Sequence, residues 1–250
     1  MNKTILCVLA HPDDAEFLCA GTLARLAREK DFKVHIATMT AGDCGSATQG
    51  AEEIAAIRRT EGKTAASIIQ GEYHCLEEKD LLVFYSRYPL EKVTRLIRNV
   101  NPSIILTHSP SDYMMDHEQT SAIVRAATFC APIPNFDSSH GTKPISHIPH
   151  LYYCDPIEGM DPMGNKIKPQ FLIDITSTLE TKSQMLAAHA SQRDWLLKHH
   201  GMDQYLISMR DFAAQQGKEI GVPAAEGFRQ HLGHSYPQDN ILISLLSAHN

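Results

Sequence analysis

The apolar run Ile5-Leu6-Cys7-Val8-Leu9 breaks directly into Ala10-His11-Pro12-Asp13-Asp14-Ala15-Glu16-Phe17. A run rich in Ile, Leu and Val, bounded by Lys3 and Pro12, reads as a central strand of a parallel sheet. The carboxyl ends of such strands open into the ligand crevice of α/β folds. An imidazole and two carboxylates therefore stand where a buried strand surfaces, and His11 and Asp14 can converge there.

The segments that follow alternate between the two regular periods. Strand patterns cover Thr4 to Leu9, Lys33 to Met39, Tyr73 to Leu76 and Ser103 to Thr107. Between them, Ile54, Ile57, Glu61, Ala65 and Ile68 recur at helical spacing, as do Val93, Leu96, Ile97 and Val100. Each helix thus offers one apolar face to a sheet, which predicts βαβ units with right-handed crossovers. The fold class that follows is α/β, doubly wound around a mainly parallel sheet. Farther on, Leu151 to Cys154 and Gln170 to Asp174 read as extended, a long helix from Thr176 carries Leu179, Leu186 and Leu197 inward, and Ala224 to Arg229 returns as a short extended element. Residues 131–149 read as a long loop. The expectation is one domain over 1–250, with the last third, about 150–250, elaborating the substrate side.

With 23 basic against 29 acidic residues, a net charge of −6, the chain lacks the basic stripe that nucleic acid or an anionic membrane requires. No apolar stretch approaches the roughly 20 residues of a membrane span, and no leader pattern is seen. These features predict a soluble, cytoplasmic protein with a small-molecule partner. The six cysteines form no CxxC pair and read as free thiols, which argues against a cysteine-built zinc site. The long apolar-bearing segments of the second half predict a homo-oligomer.

A hydrolytic zinc site uses three protein ligands and keeps one position for water. His11, Asp14 and His117 supply that count, the last in the first turn of a helix predicted to begin near Asp116, where Gln119 completes a capping-box spacing. Asp13, turned aside by the Pro12 bend, becomes the general base for a zinc-bound water attacking a carbonyl carbon. Asp112 and Asp116 can orient a ligating imidazole. The same two histidines and one carboxylate also describe a mononuclear Fe2+ oxygenase site. Taken as residues alone, Arg58 and Glu61 form a solvated helix-face pair, and His35, His74, His140, His147, His189 and His231 are hydrogen-bonded structural histidines.

The Ala-His-Pro-Asp-Asp-Ala-Glu stretch resembles the signature of the PIG-L/LmbE-like family of metal-dependent N-deacetylases. Arg58 and Glu61 with Ala65-Ala66 resemble its Arg-x-x-Glu helix. Asp116-His117 resembles its second metal motif, and Asp174-Ile175-Thr176, Ser191-Gln192 and Ala225-Glu226-Gly227-Phe228 its C-terminal half. The resemblance implies a Rossmann-like three-layer sandwich, zinc held by His11, Asp14 and His117, Asp13 as base, Arg58 near the substrate, and removal of an acetyl group from an N-acetylglucosamine-type small molecule. Asp43, Asp112, Tyr113 and His234 are further candidates for contact with the substrate, Asp43 through sugar hydroxyls. One position departs from the pattern: where many members carry a histidine that steadies the charged intermediate, this chain has Met114. Tyr113, His108 and His234 are the candidates to replace it. The departure also admits a catalytically silent member that binds metal and sugar.

Overall fold

The computed structural model describes residues 2–137, 141–193 and 204–247. Strand β1 (Thr4–Leu9) is buried along its whole length. Its side chains alternate between two cores: Ile5, Cys7 and Leu9 face one, Leu6 and Val8 the other. A strand apolar on both faces must sit mid-sheet under helices on either side. It pairs in parallel with β2 (Lys33–Thr40) and with β4 (Ile104–Thr107). Strand β3 (Glu72–Glu78) forms an edge.

Beyond β4 come β5 (His150–Cys154), β7 (Ala225–Gln230) and β6 (Phe171–Asp174), giving seven strands in the order β3-β2-β1-β4-β5-β7-β6. Only β7 runs antiparallel to its neighbours. The C-terminal third therefore contributes three strands to the same sheet.

The first core packs helices α2 (Ala20–Lys30), α3 (Ala51–Ser67), α6 (Leu179–Ala187), α7 (Gln204–Ile220) and α8 (Ile241–Leu246) against one face. The second packs α4 (Arg87–Val100) and α5 (Met115–Cys130) against the other. A short helix, α1 (Asp14–Leu18), follows β1 directly. This is the three-layer α/β arrangement that the periodicity predicts. No helix among the described residues is long and apolar enough to cross a membrane.

Two local expectations give way. The helix expected from Thr176 begins with a 3-10 turn over Thr176–Thr178, and α6 ends at Ala187; Leu197, like His140, lies outside the described residues. The capping box at Asp116 and Gln119 does not form, since α5 starts at Met115 with no side-chain cap. Both side chains instead hold the β3–α4 loop. Asp116 accepts the Leu81 and Val83 amides at 2.8 and 3.3 Å, and Gln119 accepts the Tyr85 amide at 2.8 Å.

Candidate metal centre

Strand order reverses between β1 and β4, and at such a switch point the following loops diverge and leave a crevice. His11 and Asp14 leave β1, while His117 lies in the first turn of α5 after β4. The three side chains meet. His11 Nδ1 stands 3.3 Å from Asp14 Oδ2 and 3.3 Å from His117 Nε2, and Asp14 Oδ1 is 3.5 Å from His117 Nε2. A tetrahedral ion with bonds of about 2.0–2.2 Å requires its donors about 3.3–3.5 Å apart, so these atoms fit one such ion.

The remaining ring nitrogens agree with that arrangement. His117 Nδ1 is 2.9 Å from Asp112 Oδ1, and His11 Nε2 is 3.0 Å from Asp80 and 3.3 Å from Asp116. Each imidazole can donate its outer N–H to a carboxylate and present its other lone pair to a cation, the pairing that fixes the tautomer of metal-binding histidines. Charge points the same way. Asp14, Asp80, Asp112 and Asp116 are all buried, and buried carboxylates need compensating positive charge. Burial disfavours the charged forms of His11 and His117. Even so, the carboxylates around His11 hold its pKa well above the usual histidine value, and Asp14 and Asp112 raise that of His117. The pocket draws in protons where a divalent cation can take their place.

Asp13 heads α1 with φ 102°, a left-handed conformation that is uncommon for a residue with a Cβ. Its carboxylate accepts the Tyr205 hydroxyl at 2.5 Å and an Arg58 N–H at 3.2 Å. Burial raises its pKa above the ordinary carboxylate range, with Arg58 opposing. Arg58 itself is 4% exposed and donates from its two terminal nitrogens to Pro12 O at 2.6 Å and Gly42 O at 3.4 Å, so the structure places it behind the His11–Asp14 turn. A Cβ at Gly42 would overlap the guanidinium. Glu61 is not its partner; it accepts the amide and hydroxyl of Ser191, both at 2.7 Å.

The other candidates are scattered around this centre. Asp112 is 2% exposed, and its contact is with the His117 ring. Asp43 accepts the Asp80 amide at 2.9 Å and pairs with Lys79 at 3.2 Å, tying the glycine-rich loop to the loop after β3. Tyr113 is 62% exposed and meets the His117 ring in a T-shaped contact, with centroids 5.4 Å apart. His108 is fully buried, stacks on His117 with centroids 3.9 Å apart, and is kept neutral by burial, its pKa down to about 4. It therefore packs against the cluster. His234 is exposed in the loop after β7, without a hydrogen bond to the cluster. Glu226 accepts the Gly21 and Thr22 amides at the start of α2, away from any ligating histidine.

Two residues at the centre escaped the sequence reading. Asp80 follows β3, and its place beyond the carboxyl end of a parallel strand was the available signal. Tyr205 arrives from α7, and nothing in its local sequence marks it.

Comparison with known proteins agrees with this geometry. The profile of the PIG-L family, described as GlcNAc-PI de-N-acetylase, matches residues 6–128. The chain is similar to a diacetylchitobiose deacetylase of Thermococcus kodakarensis, 28% identical over 91% of this chain and 82% of that protein. It is also similar to a 4-oxalmesaconate hydratase of Pseudomonas putida, 23% identical over 90% of this chain and 85% of that one. The solved N,N'-diacetylchitobiose deacetylase from Pyrococcus horikoshii superposes with a TM-score of 0.79 at 25% identity, covering 96% of this chain and 88% of that structure.

Proposed function

The chain belongs to the PIG-L/LmbE-like family, and from that premise we propose that it is a zinc-dependent hydrolase removing the N-acetyl group of an N-acetylglucosamine-type small molecule. The observation that carries this reading is the set of three donors, His11 Nδ1, Asp14 and His117 Nε2, 3.3–3.5 Å apart and one residue from a carboxylate that burial makes more basic. Three protein donors suit an ion that also engages water or substrate. Fe2+ is the alternative occupant.

When bound, the ion supplies Lewis acidity toward water and the amide oxygen. Asp13 takes the proton of the attacking water as its oxygen bonds to the acetyl carbon. It returns that proton to the amine nitrogen as the C–N bond breaks, leaving acetate and a free amino sugar. Tyr205 and Arg58 hold the carboxylate in place for both transfers. Of the three groups considered in place of the missing motif histidine, Tyr113 is the one that is both exposed and in contact with the His117 ring, and we assign it the developing charge.

The similarity to a hydratase over 90% of the chain supports a second reading, addition of water to a carbon–carbon double bond by the same centre. One experiment separates the two. Protein loaded with zinc, and the same protein stripped by a chelator, are assayed for acetate release across a panel of N-acetylated amino sugars and for loss of ultraviolet absorbance with conjugated unsaturated acids. Acetate release that disappears on stripping is the expected result. Metal-dependent absorbance loss without acetate overturns it in favour of hydration.

We place the enzyme in the cytoplasm and assign it self-association. Leu81, Leu82, Phe84, Tyr85 and Tyr88 are each more than half exposed between β3 and the first turn of α4, and apolar clusters of this kind mark protein interfaces. A second copy of the chain is the proposed occupant, and light scattering of wild-type and Leu82→Asp protein tests it.

A further inference from the structure

A second group of metal-ligating side chains lies at the opposite end of the sheet. Parallel pairing of β2 with the edge strand β3 sets His35 beside Glu72 and Ala37 beside His74. Residues two apart on a strand share a face, so Glu72 and His74 flank His35 on one side of the sheet. His35 Nδ1 is 3.0 Å from His74 Nε2 and 3.7 Å from Glu72 Oε2, and the rings stack with centroids 5.3 Å apart. His35 stands beside Leu6 of β1, five residues before His11. At a rise of about 3.3 Å per residue the group is therefore more than about 10 Å from the catalytic centre.

The geometry points to a second metal site formed by His35, Glu72 and His74, taking a divalent ion of the imidazole-preferring kind, Zn2+, Ni2+ or Cu2+. The two nitrogens and the carboxylate oxygen already lie within the reach of a single ion. Without an ion, one imidazole donates to the other. With one, both lone pairs turn to the metal, and the protons sit on His35 Nε2 and His74 Nδ1. The rings are ready for that exchange, since burial keeps both pKa values below the ordinary histidine value, and a metal takes only unprotonated imidazole. Glu72 is the exposed member, with its side chain 72% accessible. The third ligand thus reaches in from solvent, and the ion exchanges with the medium. Two nitrogens and one oxygen favour Cu2+ over Zn2+ and Ni2+ in the usual order of divalent affinities.

The test reads metal content, so it does not depend on any activity. Chelator-stripped wild-type protein, His74→Ala, His35→Gln, His117→Ala and the double variant His117→Ala/His74→Ala are titrated with Cu2+ and with Zn2+ by calorimetry. Metal is counted after desalting, and circular dichroism checks that each variant is folded. The wild type is expected to take up two equivalents, and His74→Ala and His35→Gln one each. His117→Ala retains one and the double variant none. Nitrogen hyperfine structure from two imidazoles is expected in the Cu2+ spectrum of His117→Ala protein. If His74→Ala and His35→Gln take up as many equivalents as wild type, the site does not exist.

Discussion

The Tyr205 hydroxyl donates to the Asp13 carboxylate at 2.5 Å, joining residues 192 apart in the chain. Among the described residues it shares that carboxylate with Arg58, which donates at 3.2 Å. Hydrogen bonds to charged groups contribute about 1.5–3 kcal/mol, and in a base that must be held still that energy appears in the rate. Tyr205→Phe is expected to lower kcat by roughly ten- to a hundredfold with zinc content unchanged. Steady-state kinetics with metal analysis checks it, and an unchanged kcat removes Tyr205 from the site.

Asp13 and His117 are expected to separate cleanly. Asp13→Ala loses about 10²–10⁴-fold in kcat, the usual contribution of a general base, yet retains zinc, because the three donors remain. His117→Ala fails to hold zinc at the catalytic cluster and loses activity with it. Turnover and zinc dissociation constants measured on both variants decide. Full turnover by Asp13→Ala would overturn its role.

Asp112 is expected to matter through His117. Its Oδ1 lies 2.9 Å from His117 Nδ1, and loss of such a partner typically weakens metal affinity 10–100-fold. Asp112→Ala should show that loss in a competitive chelator titration and regain activity when zinc is raised. Activity that stays low at saturating zinc would assign Asp112 to the substrate instead.

Asp155 makes stability depend on pH. It is 4% exposed at the end of β5, and burial raises its pKa to about 6 against the opposing pull of Arg229 and the Gln216 hydrogen bond. The fold favours the protonated form. Its contribution is therefore fully present below the unfolded value near 3.8 and is lost as pH rises through about 6. Asp155→Asn keeps a neutral group there at every pH. Relative to wild type it should gain stability from pH 4 to pH 7, by at most about 3 kcal/mol at 1.36 kcal/mol per pKa unit. Urea unfolding at both pH values measures this, and a gain in the opposite direction rejects it.

Lys182 and Glu226 form a buried ion pair at 2.6 Å, with side chains 2% and 1% exposed. Glu226 also accepts two amides at the start of α2, where helix donors lack intrahelical partners. Glu226→Ala therefore strands a buried ammonium and two N–H groups and is expected to cost about 3–5 kcal/mol. Lys182→Met should cost less, because Glu226 retains both amides. Equal losses in thermal unfolding would mean that the amides contribute nothing.

The strands were legible because their signal is local. Alternation and apolar runs placed six of the seven strands to within one residue at each end, and β3 to one residue at its start and two at its end. Two misreadings, at Asp116 and Thr176, mark where that local signal ends. Asp116 has a helix-capping sequence, but the β3–α4 loop amides reach it first. Likewise the residues after Thr176 have helical propensity, but the chain makes a 3-10 turn before α6. Arg58 shows the limit most clearly: as a residue on an amphipathic helix it reads as solvent-facing, yet it is buried under the His11–Asp14 turn.

From the sequence alone came the parallel α/β sheet, the presence of His11, Asp13 and Asp14 at the end of its first strand, and the position of His117 at the start of a helix, because strand burial and helix periodicity are written in neighbouring residues. Tertiary structure decided which nitrogen of each imidazole faces Asp14 and the other ring, which carboxylates stand behind them, and that Asp80, Tyr205 and a second pair of histidines join the account. Those choices depend on side chains from different strands and helices arriving at one place, and the distance between them exists only after the sheet has closed and the helices have packed on it.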